Sequence, residues 1–216
     1  HLLYMRADLP YKTLAEVRKA PEPPKCGSTG VGSSSYFMPK LLEETLGTKF
    51  IVIAGYQGGG DTDLAVEKGE IHCRALTIQA YFSREPYHTW REKGFVRVMM
   101  QTGRTRDPRL PDVPTLEELM KEYKTAGGPR RLAALALAAA DFGRPIVAPP
   151  GLAADQSKLL RDAFMKTMKD PELLAEAKNK NFDITPSGGE ELEALAKEVV
   201  RQPPEVVEQV QKLLGQ

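Results

Sequence analysis

Two glycine-rich stretches of this 216-residue sequence have the composition of anion-binding loops. The first, Cys26 to Tyr36, combines glycines with Ser and Thr, and the second runs from Gly55 to Asp61. Glycine lets backbone amides approach a ligand closely, and amides in the first turn of a helix have no partner inside that helix. The helix dipole also favours negative charge there, so a carboxylate or a phosphate is the expected ligand. A Ser-capped helix after a flexible turn would explain the first stretch equally well.

Both stretches are predicted to lie between a strand and a helix. The predicted strands are Lys25 to Ser28, Phe50 to Ala54 and Ile71 to Leu76, and the predicted helices run from about Ser33 to Leu46, closed by Gly47, and from near Asp61 or Thr62 to Gly69. Because Phe50 to Ala54 shows no polar alternation, we expect it to be buried on both faces. The carboxyl ends of parallel strands meet at one edge of a sheet, so the two loops and Thr77 should line a single crevice.

Other kinds of site fit the sequence less well. Three serines follow Gly30-Val-Gly32, which breaks the Rossmann fingerprint, and no Lys-Ser or Lys-Thr closes a Walker loop. The nucleophile elbow of a serine hydrolase is absent too. Asp61 and Asp63 could act as paired carboxylates, although acids at a helix start more often stabilise the helix dipole. Tyr56 is as well placed to touch a ligand as to pack beneath its loop.

Composition excludes several classes of partner. The formal net charge is +1 and no basic stripe carries interleaved aromatic residues, which argues against a nucleic-acid partner. Cys26 and Cys73 neither prove a disulfide nor suggest a metal site, and we interpret them as small buried residues. The three histidines have no ligand spacing, so neither a metal nor another cofactor is expected. The first residues lack the order of a signal peptide, so the signal of an exported protein would lie upstream.

The rest of the chain adds further elements and a boundary in composition at Lys124 to Pro129. Further strands are predicted at Leu2 to Met5, Val96 to Met100, Arg144 to Ala148 and Phe182 to Ile184. Further helices are predicted at Thr13 to Lys19, Leu116 to Tyr123, Arg130 to Ala140, Asp155 to Met168, from Asp170, at Glu190 to Val200 and at Pro204 to Leu214, with Pro86 interrupting a helical stretch from Ala80 to Trp90. In the helix from Asp155, we expect Leu159, Leu160, Ala163 and Phe164 to face inward.

Several motifs together resemble the solute-binding receptors of tripartite tricarboxylate transporters, also called the Bug family. They are Asp8-Leu-Pro-Tyr-Lys-Thr-Leu-Ala-Glu16, Gly27-Ser-Thr-Gly-Val-Gly-Ser-Ser34, Gly55-Tyr-Gln-Gly-Gly60, Glu67-Lys-Gly-Glu-Ile71, Arg106-Asp-Pro-Arg-Leu-Pro-Asp-Val-Pro-Thr115 and Gly143-Arg-Pro-Ile-Val-Ala-Pro-Pro-Gly151. The glycine loops are weak signals alone. Their order and the Leu-Pro-Asp-Val-Pro-Thr segment make the combination fairly specific, and it covers most of the chain.

The resemblance implies an α/β periplasmic-binding-protein fold of type II, a Venus flytrap with a mainly parallel sheet flanked by helices. It implies a periplasmic, non-catalytic receptor that closes on a small carboxylated metabolite and delivers it to a membrane permease. The carboxylate would be held largely by amides, hydroxyls and water, so no dedicated arginine is expected. The implied ligand-binding residues are Ser28, Thr29, Gly30, Gly32, Ser33, Ser34, Tyr56, Gln57, Gly58, Gly59, Gly60, Asp61 and Thr77.

The resemblance also divides the chain into a ligand-binding lobe at 1–123 and C-terminal elements at 124–216. The chain is expected to begin after the first glycine-rich loop of the family. In the family, that loop contacts the ligand carboxylate from the opposite side of the site. Exposed apolar helix faces of an incomplete lobe would favour self-association.

Two other classes of protein remain open at this point. A small α/β transferase or hydrolase acting on an anionic substrate would need Asp61, Asp63 or His72 as its general base. A metabolite-sensing module would use the same fold to signal to a partner protein.

Overall fold

The computed structural model describes residues 1–103, 105–143, 145–180 and 182–213, with only the backbone described for 139–141. Its strands are β1 Leu2–Arg6, β2 Lys25–Ser28, β3 Ile51–Ala54, β4 Cys73–Leu76 and β5 Val96–Gln101. Its helices are α1 Leu14–Arg18, α2 Ser34–Leu46, α3 Gly59–Glu67, α4 Ile78–Ser83, α5 Tyr87–Glu92, α6 Leu116–Glu122, α7 Gly127–Asp141, α8 Ala154–Thr167, α9 Pro171–Asn179, α10 Gly189–Val200 and α11 Pro204–Leu213. The predicted end of α11 at Leu214 lies outside the described residues.

The five strands form one mixed sheet in the order β3-β2-β4-β1-β5. Strand β2 pairs in parallel with both β3 and β4, whereas β1 pairs antiparallel with β4 and β5. The predicted α/β class is confirmed, but the expectation of a mainly parallel sheet is wrong for the β1 side. Strand β1 alone runs against the other four, and its short apolar sequence carries no signal of direction.

Helices cover both faces of the sheet. On one face, α2 packs on β2 and β4 through buried residues that include Phe37, Leu41, Leu42 and Leu46, the predicted inward side. On the other face, an aromatic core surrounds Tyr4 and includes Tyr81, Tyr87 and Trp90, with residues of α3 beside it. Strands β2 and β4 therefore lie between two helical layers.

The boundaries of α2 agree with those predicted from the sequence. Ser33 occupies the N-cap in an extended conformation, and Gly47 closes the helix with φ +67°. A glycine adopts that left-handed conformation without the steric cost that a Cβ would bring. The helix thus begins immediately after the first glycine loop, as expected.

Strand β3 is an edge strand, so the prediction that it is buried on both faces is wrong. The exposed fraction is 45% for Ile51 and 38% for Ile53. An apolar run without alternation is typical of a central parallel strand, but at an edge the same pattern leaves apolar side chains in contact with solvent.

Four other expectations from the sequence are corrected. Pro145–Ala148 and Phe182–Ile184 form no strand, and Arg144 lies outside the described residues. Helix α3 begins at Gly59, two residues earlier than expected, and α7 begins at Gly127, inside the predicted break. Glycine has a low helix propensity. In the first turn of a helix it reduces stability only slightly, because the amides of that turn make few hydrogen bonds within the helix.

Cys26 and Cys73 are buried, as expected, and they form a disulfide, which the sequence left open. The S–S distance is 2.02 Å and the Cα–Cα distance is 4.5 Å. The two cysteines are also the paired residues in the parallel register of β2 and β4. Spacing along the sequence could not reveal this pairing, because the two residues are 47 positions apart and become neighbours only through sheet order.

The chain divides into two compact units within α7. One unit comprises His1–Ala134 and Pro204–Gln216, and it contains the whole sheet. The other, Leu135–Pro203, is helical and has few buried side chains among its described residues. Leu159 and Leu160 in α8 are 69% and 56% exposed, so their predicted inward orientation is wrong. In the described part of the chain, no helix combines the length and apolar character needed to cross a membrane.

Candidate functional site

Ser28, the last residue of β2, connects the two glycine loops. Its carbonyl oxygen accepts hydrogen bonds from the amides of Gly55, at 3.2 Å, and Tyr56, at 3.3 Å. Its Oγ accepts a hydrogen bond from the Gly30 amide at 3.1 Å. One fully buried serine therefore holds the loop after β2 to the loop after β3. The predicted convergence of the two loops is seen in these contacts.

The hydroxyl of Ser33 stabilises the first loop and leaves the start of α2 uncapped. Ser33 Oγ donates to the Gly30 carbonyl at 2.7 Å and lies 3.1 Å from Ser28 Oγ and 2.9 Å from Ser35 Oγ. No side-chain hydrogen bond caps α2, and its first turn contains no acidic residue. The Tyr36 amide in this turn donates to the Ser33 carbonyl at 2.9 Å, so the amides of Ser34 and Ser35 are the ones that could bind an anion. Ser35 belongs to the first glycine-rich stretch, but it is not among the ligand-binding residues that the resemblance implies.

The start of α3 is also without a side-chain cap. Gly58 occupies its N-cap position, and the only described contact of Thr62 Oγ1 there is a hydrogen bond to the Gly58 carbonyl at 3.0 Å. Helices α2 and α3 follow parallel neighbouring strands and lie on opposite faces of the sheet. Their two uncapped N-termini therefore flank the carboxyl end of β2.

Tyr56 packs over Gly27, beneath its own loop. A Cβ at Gly27 would lie 2.2 Å from Ile71 Cδ1, 2.6 Å from Thr62 Cγ2 and 3.4 Å from the Tyr56 ring. Gly27 is therefore required for close packing between β2 and α3. Burial, together with the charge of Glu70, raises the pKa of Tyr56, so its hydroxyl remains protonated. Of the two interpretations of Tyr56, the packing role is the one with a described contact.

A buried ion pair lies directly beneath the first turn of α3. Arg74 Nη1 donates to Asp63 Oδ1 at 2.5 Å, to the Gly59 carbonyl at 2.8 Å and to the Tyr87 hydroxyl at 2.8 Å. Asp63 also accepts hydrogen bonds from Tyr87, at 2.7 Å, and from Tyr4, at 2.9 Å. Tyr4 and Arg74 are cross-strand partners in β1 and β4, which explains why both side chains lie on this face.

The charges in this cluster are fixed by their surroundings. Burial alone would lower the pKa of the Arg74 guanidinium, but Tyr87 and Asp63 beside it raise that pKa above its usual value. Burial raises the pKa of Tyr4 and Tyr87, and the Asp63 carboxylate raises both further. Both tyrosines therefore stay neutral and serve as hydrogen-bond donors to Asp63.

The remaining predicted ligand residues have few described contacts. Thr77 Oγ1 accepts a hydrogen bond from the Ala80 amide at 3.2 Å and caps α4, and the parallel direction of β4 places it at the same edge as Ser28. Gly32 has φ +82°, with space where a Cβ would point. Thr29, Gln57, Gly60 and Asp61 lie in or next to the two loops, and Gln57, Gly60 and Asp61 are exposed.

Two of the three residues proposed for general-base catalysis, Asp63 and His72, are poorly suited to that role. Asp63 is 3% exposed and paired with Arg74, so it is unavailable to a substrate proton. His72 Nδ1 accepts a hydrogen bond from the Lys25 amide at 3.2 Å, and burial lowers the pKa of His72. Among the described residues, no group of three His, Cys, Asp or Glu side chains could hold a metal ion.

The sequence matches the family model of the tripartite tricarboxylate transporter family receptor, TctC, over residues 1–212. The chain belongs to this family, as its motifs predicted. The family consists of receptors and not of enzymes, so the alternative of a small α/β enzyme is excluded. No curated protein matches the sequence.

Solved structures with the same fold include three that are informative. A TctC solute-binding protein from Polaromonas has 19% identity and a TM-score of 0.64, with 92% of this chain and 62% of that chain covered. The R. palustris protein Rpa4515 with adipate has 16% identity and a TM-score of 0.59, with 99% of this chain and 64% of that chain covered. MatC from Rhodopseudomonas palustris with bound malate has 20% identity and a TM-score of 0.55, with 99% of this chain and 65% of that chain covered.

These similarities establish the periplasmic-binding-protein fold of the TctC structures for this chain. The chain spans 62% to 65% of the length of these three proteins.

Proposed function

We propose that this chain is part of an extracytoplasmic receptor that captures a small carboxylated metabolite for a tripartite tricarboxylate transporter. The observation that carries the proposal is the pair of uncapped N-termini, of α2 and α3, held together by Ser28 at the end of β2. Helix N-termini favour anions through both unpaired amides and the helix dipole. Family membership supplies the transport role.

The ligand class proposed is a dicarboxylate, a tricarboxylate or an aromatic carboxylate. Two of the similar structures are of proteins with a bound dicarboxylate, Rpa4515 with adipate and MatC with malate. Backbone amides and small hydroxyls discriminate poorly between carboxylates of different shape. Side chains outside the loops would therefore determine which carboxylate is bound. The ligand-binding residues proposed are those predicted from the sequence, with Ser28 and Tyr56 as supporting residues and Ser35 added to the hydroxyl cluster.

We further propose that residues 1–123 form one lobe of a Venus flytrap of type II, and that residues 124–216 contribute to the crossing toward the other lobe. Contacts of the ligand with both lobes would favour the closed form, which the permease would recognise. Self-association through exposed apolar helix faces is the other proposed interaction.

A periplasmic location is proposed on two grounds. One similar structure is described as the periplasmic binding protein BugD. The disulfide between Cys26 and Cys73 is also characteristic of an oxidising compartment.

The test is a calorimetric titration of the intact protein with adipate, malate, citrate and benzoate, with adipamide as the uncharged control. We expect saturable binding of at least one carboxylate and none of adipamide, because an amide provides no negative charge to the helix termini. Absence of binding across the whole panel would contradict the proposed function.

A further inference from the structure

The guanidinium of Arg74 lies against the first residue of α3 with part of its hydrogen-bonding capacity unused. Arginine carries five N–H donors on three nitrogens, and the described hydrogen bonds of Arg74 all come from Nη1. Its Nε is buried without a partner. Its Nη2 is the atom nearest to the space where a Cβ on Gly59 would lie, at 2.5 Å. Unused donors on a residue that is only 6% exposed need an explanation.

The arrangement of the ion pair places its positive end at the start of α3. Arg74 contacts Gly59, the first residue of the helix, whereas Asp63 is one turn further along it. The dipole of α3 has the same direction, with its positive end at the N-terminus. An anion at that N-terminus would therefore be closer to Arg74 than to Asp63, and it would experience a favourable field from the pair.

We propose that Arg74 is a ligand-contacting residue, donating from Nη2 to a carboxylate oxygen seated at the uncapped N-terminus of α3. This inference rests on the function proposed above and adds a fixed charge to a site otherwise made of amides and hydroxyls. It also assigns a purpose to Gly59: the absence of a side chain there lets the guanidinium reach the helix start. The sequence did not predict an arginine in the site. Arg74 would reach the ligand from β4, which lies outside both glycine loops.

The decisive comparison is between two variants that both lack the Asp63 charge. Asp63→Asn keeps a hydrogen-bonding side chain and leaves Arg74 charged, and Asp63→Asn with Arg74→Gln removes the charge of Arg74 as well. Tyr4→Phe is the control for disturbance of the cluster, because it deletes one hydrogen bond to Asp63 without changing any charge. Affinities for adipate and malate are measured by calorimetry on the intact protein, and folding is checked by circular dichroism and thermal unfolding.

We expect Asp63→Asn and Tyr4→Phe to bind at least as tightly as the parent. The double variant should bind about tenfold more weakly than Asp63→Asn, as for loss of a charge-assisted hydrogen bond. Equal affinities of Asp63→Asn and the double variant would overturn this inference while leaving the proposed function intact. An equal loss of affinity in Tyr4→Phe would also overturn this inference, because Arg74 would then affect binding only through the structure of the buried cluster. A parent protein that binds no carboxylate would overturn the proposed function and this inference together.

Discussion

The guanidinium of Arg74 occupies the space that a side chain at Gly59 would need. A Cβ on Gly59 would lie 2.5 Å from Arg74 Nη2 and 3.3 Å from its Cζ and Nη1. The guanidinium cannot easily move away, since Nη1 is held by Asp63, Tyr87 and the Gly59 carbonyl. Gly59 and Arg74 therefore constrain each other, although they are 15 positions apart.

Substitution of Gly59 should reveal this constraint. We expect Gly59→Ala to lower the free energy of unfolding by about 1 to 3 kcal/mol, as for overpacking of a well-filled site. Gly60→Ala is the matched control, because a Cβ there meets nothing within 4 Å. That variant should be unchanged or up to about 1 kcal/mol more stable, since alanine is the better helix former. Urea unfolding followed by circular dichroism measures both, and equal effects would contradict the constraint.

The disulfide should contribute to stability as a cross-link of the unfolded chain. Replacing Cys26 and Cys73 together by serine is expected to cost about 2 to 4 kcal/mol of the free energy of unfolding. Mass spectrometry after alkylation should detect modification of both cysteines only when the protein has first been reduced and unfolded. Reduced parent protein should match the double variant in stability. Alkylation without reduction would disprove the cross-link.

The hydroxyl of Ser33 should matter more than that of its neighbour Ser34. Ser33→Ala removes the 2.7 Å hydrogen bond to the Gly30 carbonyl and two contacts with other serine hydroxyls. We expect a loss of about 1 kcal/mol in stability, together with weaker adipate binding. Ser34 has no described side-chain hydrogen bond, so Ser34→Ala serves as the matched control for stability. Equal thermal unfolding of the two variants would show that the loop does not depend on Ser33.

Asp61 is one of the proposed ligand-site residues, but its negative charge is expected to weaken the binding of simple dicarboxylates. Its exposed side chain lies in the first turn of α3, where a second negative charge would compete with a ligand carboxylate for the same helix terminus. We expect Asp61→Asn to tighten adipate binding by about twofold to fivefold at low ionic strength. The gain should shrink at high salt because exposed charges are screened. Weaker binding by this variant would instead indicate that Asp61 contacts the ligand favourably.

The exposed apolar face of α8 should promote self-association. Leu159 and Leu160 are adjacent and both are mainly exposed. We expect Leu160→Lys to reduce the weight-average mass measured by sedimentation equilibrium. Gln156→Lys adds the same charge at an exposed polar position of the same helix and should leave that mass unchanged. A monomeric parent protein would refute the prediction.

Local patterns in the sequence predicted the elements that carry the site, whereas long-range features escaped prediction. The start of α2 near Ser33, its closure by Gly47 and the strand at Lys25–Ser28 depend on neighbouring residues, and all three were confirmed. The reversed direction of β1, the edge position of β3 and the disulfide depend on sheet order, which no local pattern encodes.

The same limit explains why Arg74 was not predicted as a site residue. It lies in β4 between Cys73 and Ala75, where an isolated arginine gives no hint of a ligand. Its position under Gly59 follows from the pairing of β4 with β1 and from the packing of α3 on the sheet. Sequence reasoning therefore predicted the amides and hydroxyls of the site without the charge beneath them.

The bond between Cys26 and Cys73 has a further consequence for recognition. It joins β2 to β4 two residues before Ser28 and three residues before Leu76, where both strands end. The two strands cannot slide past each other, so this wall of the site has its shape before any ligand arrives. Because β2 and β4 are already ordered in the folded protein, ligand binding does not carry the entropic cost of ordering them. More of the free energy of the ligand contacts therefore contributes to affinity.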